Sequence, residues 1–176
     1  MTTFDEPVRQ ARLRARTVPR AMRIHLSSGI GSGPTELAAF DAALSDAGVA
    51  NFNLLCLSSV IPPHAQIVRE RHQASPDDYG RRLYVVLSQM RESTPGRTAH
   101  AGIGWVQDEA SGRGLFVELH DGVGARLEHD LCATLEAMRA SRDIRYGAVH
   151  TEIARATCVD RPVCALVVAV YACEPW

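Results

Sequence analysis

The chain has 176 residues, 46% hydrophobic and 22% charged, a balance that suits one globular domain large enough to bury a core. Its formal net charge of −1 argues against a general binder of nucleic acid or of anionic membranes. No apolar run approaches the ~18 residues that span a bilayer, and the polar start MTTFDEPVRQ does not read as a signal peptide, so a cytoplasmic protein is expected. Cysteines at 56, 132, 158, 164 and 173 form no CxxC pair, and the seven histidines form no HxxxH or HxH. Reduced, packed thiols and no metal site are the expectation.

In chain order, residues 1–19 form a basic arm carrying Arg9, Arg12, Arg14 and Arg16, read as a mobile or subunit-draped terminus. Met22, Ile24 and Leu26 then alternate with Arg23 and His25 as a first strand. Ser27 to Gly33 reads as a glycine-rich turn. Its GIGSG matches neither a GxGxxG nor a Walker A loop. A helix follows, with Gly33 as N-cap, Pro34 at the first helical position and Gly48 as the left-handed stop after Ala47. Leu37, Phe40, Leu44 and Ala47 make its apolar stripe, with Asp41 on the flank. A carboxylate there needs a cationic partner, and the residues alone point to an arginine of the same protein.

Phe52 to Ile61 reads as one buried strand, in which Asn53 must find hydrogen-bond partners or hold a turn. Pro62-Pro63 stop that strand just past Ser58-Ser59, where a strained peptide can be held. Residues 64–81 read as a polar loop. Leu83–Met90, Thr98–Gln107, Arg113–His120, His150–Val159 and Val163–Cys173 read as strands, and Ala125–Arg142 as a second helix. In Arg113–His120, alternation puts Phe116, Glu118 and His120 on one face. Glu118 is either a desolvated acid able to donate a proton or an outward residue paired with Arg113. Seven or so strands with two helices make an α+β fold, the helices covering an extensive sheet.

Several stretches resemble the pyruvoyl-dependent arginine decarboxylase family: Gly29 and Gly31, the AFDAAL run of Ala39–Leu44, Ala47-Gly48, Asn53-Leu54 and the SSVIPP run of Ser58–Pro63. The resemblance extends more thinly from about residue 20 onward. It implies a single domain, residues 20–176, built as a four-layer αββα sandwich and assembled as a homotrimer. It further implies self-cleavage between Ser58 and Ser59, with Ser59 becoming a covalent pyruvoyl group that serves as an electron sink, as pyridoxal phosphate does. The implied reaction is decarboxylation of L-arginine to agmatine and CO2. In that reading Asp41 receives the substrate guanidinium, Asn53 orients groups around the serine pair, and Glu118 in VELHDGVG is the proton donor. Self-cleavage is then expected to survive Glu118→Gln. The alternatives are a pyruvoyl enzyme for another amino acid, a serine hydrolase without its GxSxG elbow, or an uncleaved, non-catalytic trimeric relative.

Overall fold

The computed structural model describes residues 21–176; the basic arm expected over residues 1–19 lies outside them. The chain runs through β1 (Arg23–Ser32), α1 (Glu36–Ala47), β2 (Asn53–Cys56), β3 (Val60–Ile61), β4 (Gln66–Arg69), β5 (Arg82–Glu92) and β6 (Thr98–Gln107). It continues with β7 (Gly114–Asp121), α2 (Gly124–Ala140), β8 (His150–Thr157) and β9 (Val163–Glu174). The strands form two sheets, ordered β2-β5-β9-β1-β4 and β3-β7-β6-β8.

Three apolar clusters define the layers. Ile24, Val86, Ile103, Phe116, Val167 and Tyr171 pack between the sheets. Ala39, Ala43 and Ala47 of α1 cover the five-stranded sheet through Val85, Leu166 and Val168. Leu127, Leu131 and Leu135 of α2 cover the four-stranded sheet through Val106, Leu115 and Val117. The result is the expected α+β architecture, an αββα sandwich. β9 is apolar along most of its length because both its faces are buried. Cys164, Leu166 and Val168 turn to α1, while Ala165, Val167 and Ala169 turn to the other sheet. Ser88 on β5 ties the two sheets together, donating to the Leu119 carbonyl and accepting from the Gly102 amide at 3.2 Å. Among the described residues no helix is long and apolar enough to cross a membrane.

Five local expectations are corrected. Ser27–Gly33 is not a turn: β1 runs through the glycines to Ser32. Gly29 and Gly31 face α1, and a β-carbon on either would strike the carbonyl oxygen of Ala43 or Ala39. The glycines permit close helix–sheet approach. The cap of α1 is Thr35, whose hydroxyl accepts from the Ala38 amide at 3.1 Å, and not Gly33, although Gly48 does close the helix at φ 80°. The buried stripe is the small-residue series Ala39, Ala43 and Ala47, while Leu37 is 67% exposed. Phe52–Ile61 is two short strands in different sheets, with Asn53, Leu55, Cys56 and Val60 exposed, and the expected loop over 64–81 contains β4, parallel to β1.

Candidate active site

The serine pair lies where the chain crosses from one sheet to the other. β2 pairs in parallel with β5 as an edge strand, and the Leu57 amide makes a further bond to the Val85 carbonyl at 2.8 Å. Three residues later β3 joins the edge of the other sheet, antiparallel to β7, with Val60 opposite Leu115 and Ile61 opposite Gly114. Ser58 is exposed and Ser59 half-buried in the crossing. Ser59 takes a left-handed backbone, φ 64°, a costly conformation for a residue with a β-carbon. Its carbonyl accepts from the Phe116 amide at 2.8 Å, which holds the strained residue against β7.

That conformation aims the Ser59 hydroxyl at Glu118. Oγ lies 2.7 Å from Oε1 and 2.8 Å from Oε2 of the half-buried carboxylate. Glu118 follows Phe116 by two on β7, so the alternation expected from sequence sends it to the same face, toward the space between the sheets. The alternative pairing with Arg113 is not formed, since Arg113 lies 3.7 Å from Asp108. One hydroxyl proton faces two carboxylate oxygens within proton-transfer distance.

Tyr171, which no sequence motif singles out, completes the cluster. It is 8% exposed, and its hydroxyl donates to the Val60 carbonyl at 3.1 Å. Its ring meets Phe116 edge-on with centroids 6.2 Å apart. Burial, and next the charge of Glu118, push its phenol above the ordinary tyrosine range, so it stays a donor. The available signal was a phenol in a valine-rich strand, because a buried tyrosine hydroxyl needs a partner.

The other two expected site residues do not join Ser59 within this chain. Asn53 is exposed, and its amide donates to the Gly80 carbonyl at 2.6 Å, tying β2 to the connection before β5. Asp41 is exposed on α1 and forms no ion pair among the described residues. A separate cleft of about 610 Å³ between β4 and β6 is lined by Trp105, Asp108 and His150 and excludes the serine pair. There Trp105 stacks on His150 at 5.3 Å and carries the Arg69 guanidinium at 5.0 Å, so its polar and aromatic groups already serve one another.

The residues at the crossing fit a pyruvoyl precursor. A pyruvoyl group needs a residue with a β-oxygen after a cleavable peptide bond, and Ser59 supplies that oxygen from a strained backbone beside a proton acceptor. The family model for pyruvoyl-dependent arginine decarboxylase matches residues 23–174. A protein of that name from Halobacterium salinarum is 40% identical over 99 residues, covering 56% of this chain and 61% of the relative. One from Thermoplasma volcanium is 34% identical over 101 residues, covering 57% and 56%, and one from Methanosarcina mazei is 31% identical over 99 residues, covering 56% and 60%. These alignments span about three fifths of the relatives' own length. With nearly all of the described fold inside the matched range, the chain belongs to the pyruvoyl-dependent arginine decarboxylase family.

Proposed function

We propose that the chain cleaves itself between Ser58 and Ser59 and then decarboxylates L-arginine to agmatine and CO2. The contact of the Ser59 hydroxyl with Glu118, made from a left-handed backbone, supports this reading most directly. Glu118 takes the Ser59 proton, and Oγ attacks the Ser58 carbonyl carbon. The ester C–O bond forms as the peptide C–N bond breaks, and the freed Ser59 nitrogen takes a proton. Loss of the Ser59 α-proton then expels the Ser58 carboxylate from the β-carbon, leaving dehydroalanine. Addition of water and departure of ammonia leave a ketone at the new amino end of the larger fragment.

Once formed, the pyruvoyl group supplies an electron sink for loss of CO2. The chain's own residues supply the rest. Glu118, which accepts the Ser59 hydroxyl at 2.7 Å, is placed to deliver a proton to the substrate carbon that has lost CO2. Asp41 receives the guanidinium, a planar donor set matched to a carboxylate. Asn53 keeps the strand leading to the serines in place through Gly80. Because Asp41 makes no contact with Ser59 or Glu118 in its own chain, the reading has copies assemble as trimers, burying the exposed Leu55, Leu57 and Val60 between them. Residues 20–176 then act as one decarboxylase domain.

Intact-mass analysis tests the reading. Purified protein should resolve into residues 1–58 and residues 59–176, the second lighter by one ammonia and blocked at its amino end. It should release agmatine from arginine. A chain that stays whole on prolonged incubation points to a non-catalytic relative. A cleaved chain acting only on lysine or ornithine keeps the chemistry but overturns the substrate.

A further inference from the structure

We propose that Tyr171 is a positioning residue for both self-cleavage and turnover: its hydroxyl holds the Val60 carbonyl and thereby keeps residue 59 aligned on Glu118. The inference rests on the self-cleavage reading above. Carbonyls alternate in direction along a strand. The Ser59 carbonyl is taken by Phe116 of β7, so the Val60 carbonyl points away from β7. β3 is the edge of its sheet, with no strand on that side to receive it. The Tyr171 phenol meets it there at 3.1 Å.

The donor's neighbours in β9 are firmly held. Val170 pairs with His25 of β1 and with Val85 of β5, Ala172 pairs with Tyr84 of β5, and Tyr171 is the bulged residue between them, its ring buried against Phe116. The segment that it holds is weakly anchored, since β3 has only two residues and Ser59 is strained at φ 64°. Cleavage would remove the tether through Ser58. The new chain end would then be held by the short β3 ladder, the Phe116 amide and Tyr171. Small displacements of a reacting group are costly in rate, so the phenol matters to cleavage and again to turnover.

Tyr171→Phe keeps the ring and removes the bond. Tyr84→Phe is the control: Tyr84 packs against the same core, but its hydroxyl bonds to Glu174, away from the serines. Cleavage is followed by intact mass, stability by thermal unfolding, and turnover on fully cleaved protein. Tyr171→Phe should unfold within a few degrees of the unsubstituted chain, cleave roughly tenfold more slowly or worse, and lose kcat with little change in KM. Tyr84→Phe should cleave at the unsubstituted rate. Equal cleavage and kcat in Tyr171→Phe would overturn the proposal. So would an equal slowing in Tyr84→Phe, or collapse of the fold in Tyr171→Phe, which would make the phenol a structural tie. An unsubstituted chain that never cleaves overturns the self-cleavage reading itself, and this inference with it.

Discussion

The Ser59 hydroxyl donates to both carboxylate oxygens of Glu118, at 2.7 and 2.8 Å, across 59 residues of sequence. This contact exists before any peptide bond is cut. In the proposed function it gives Glu118 a part in activating Ser59 as well as in later proton delivery.

Glu118→Gln should therefore slow self-cleavage, contrary to the expectation drawn from sequence that this variant would mature normally. The amide oxygen can still accept from Ser59 but cannot take its proton. A loss of roughly a hundredfold, the usual value of a general base, is the expected outcome by intact mass over time. Any cleaved fraction should turn over arginine at a similarly reduced rate. Normal cleavage with lost turnover would confine Glu118 to the second step.

Asp41→Asn should leave self-cleavage unchanged, because Asp41 touches neither Ser59 nor Glu118 within the chain. It should weaken arginine turnover by on the order of 2 kcal/mol, roughly thirtyfold in kcat/KM, if assembly desolvates the charge pair. Sedimentation of the same samples tells whether copies associate. Full turnover by a cleaved Asp41→Asn chain would move guanidinium recognition to another group.

The long elements were legible because their hydrophobic patterns are local. β6 lies at the residues expected, Thr98–Gln107, and α2 and β9 differ from expectation only at their ends. Other readings failed where meaning depends on a distant partner. Glycines that permit a turn and glycines that admit a helix look alike until Gly29 and Gly31 are set against Ala43 and Ala39. Leu55, Leu57 and Val60 look like core residues but lie on edge segments with 36–59% exposure. The serine pair and Glu118 were each legible alone, and alternation even gave the face of Glu118. Their meeting depended on the register of β3 against β7, a non-local pairing without a local signature. Tyr171 was lost inside an apolar run for the same reason, since its partner lies 111 residues away.

Gly31→Ala should destabilise the fold without touching the site chemistry. The added methyl would meet backbone atoms of α1 at Ala39 and Ala43, not the end of a flexible side chain. The helix must shift, at about 1–3 kcal/mol and at times more. Denaturant titration should show a lower midpoint with an unchanged slope. A midpoint equal to that of the unsubstituted chain would mean that α1 does not pack as closely on β1 as described.

Acid should weaken the fold through His72 before it reaches the carboxylates. The His72 ring is half-buried, 6.0 Å from His25 and 5.9 Å from Phe52, and its Nδ1 has no hydrogen-bond partner among the described residues. Burial, then repulsion from His25 and from Arg71, lowers its pKa below 6.5, with Asp78 opposing. The fold thus favours neutral imidazole. As pH falls through 6.5, the unfolded chain takes up this proton first, so the unfolded state binds more protons and stability declines. Glu92, held low mainly by the Thr94 amide, and Asp108, held low mainly by the Ser111 hydroxyl, act in a separate window below their ordinary 4.5 and 3.8. Unfolding midpoints in urea, taken in steps downward from pH 7, should fall below pH 6.5 for the unsubstituted chain. They should fall less for His72→Phe, which keeps an aromatic ring against Phe52 and cannot take a proton. Parallel curves for the two chains over that interval would show that the acid sensitivity lies elsewhere.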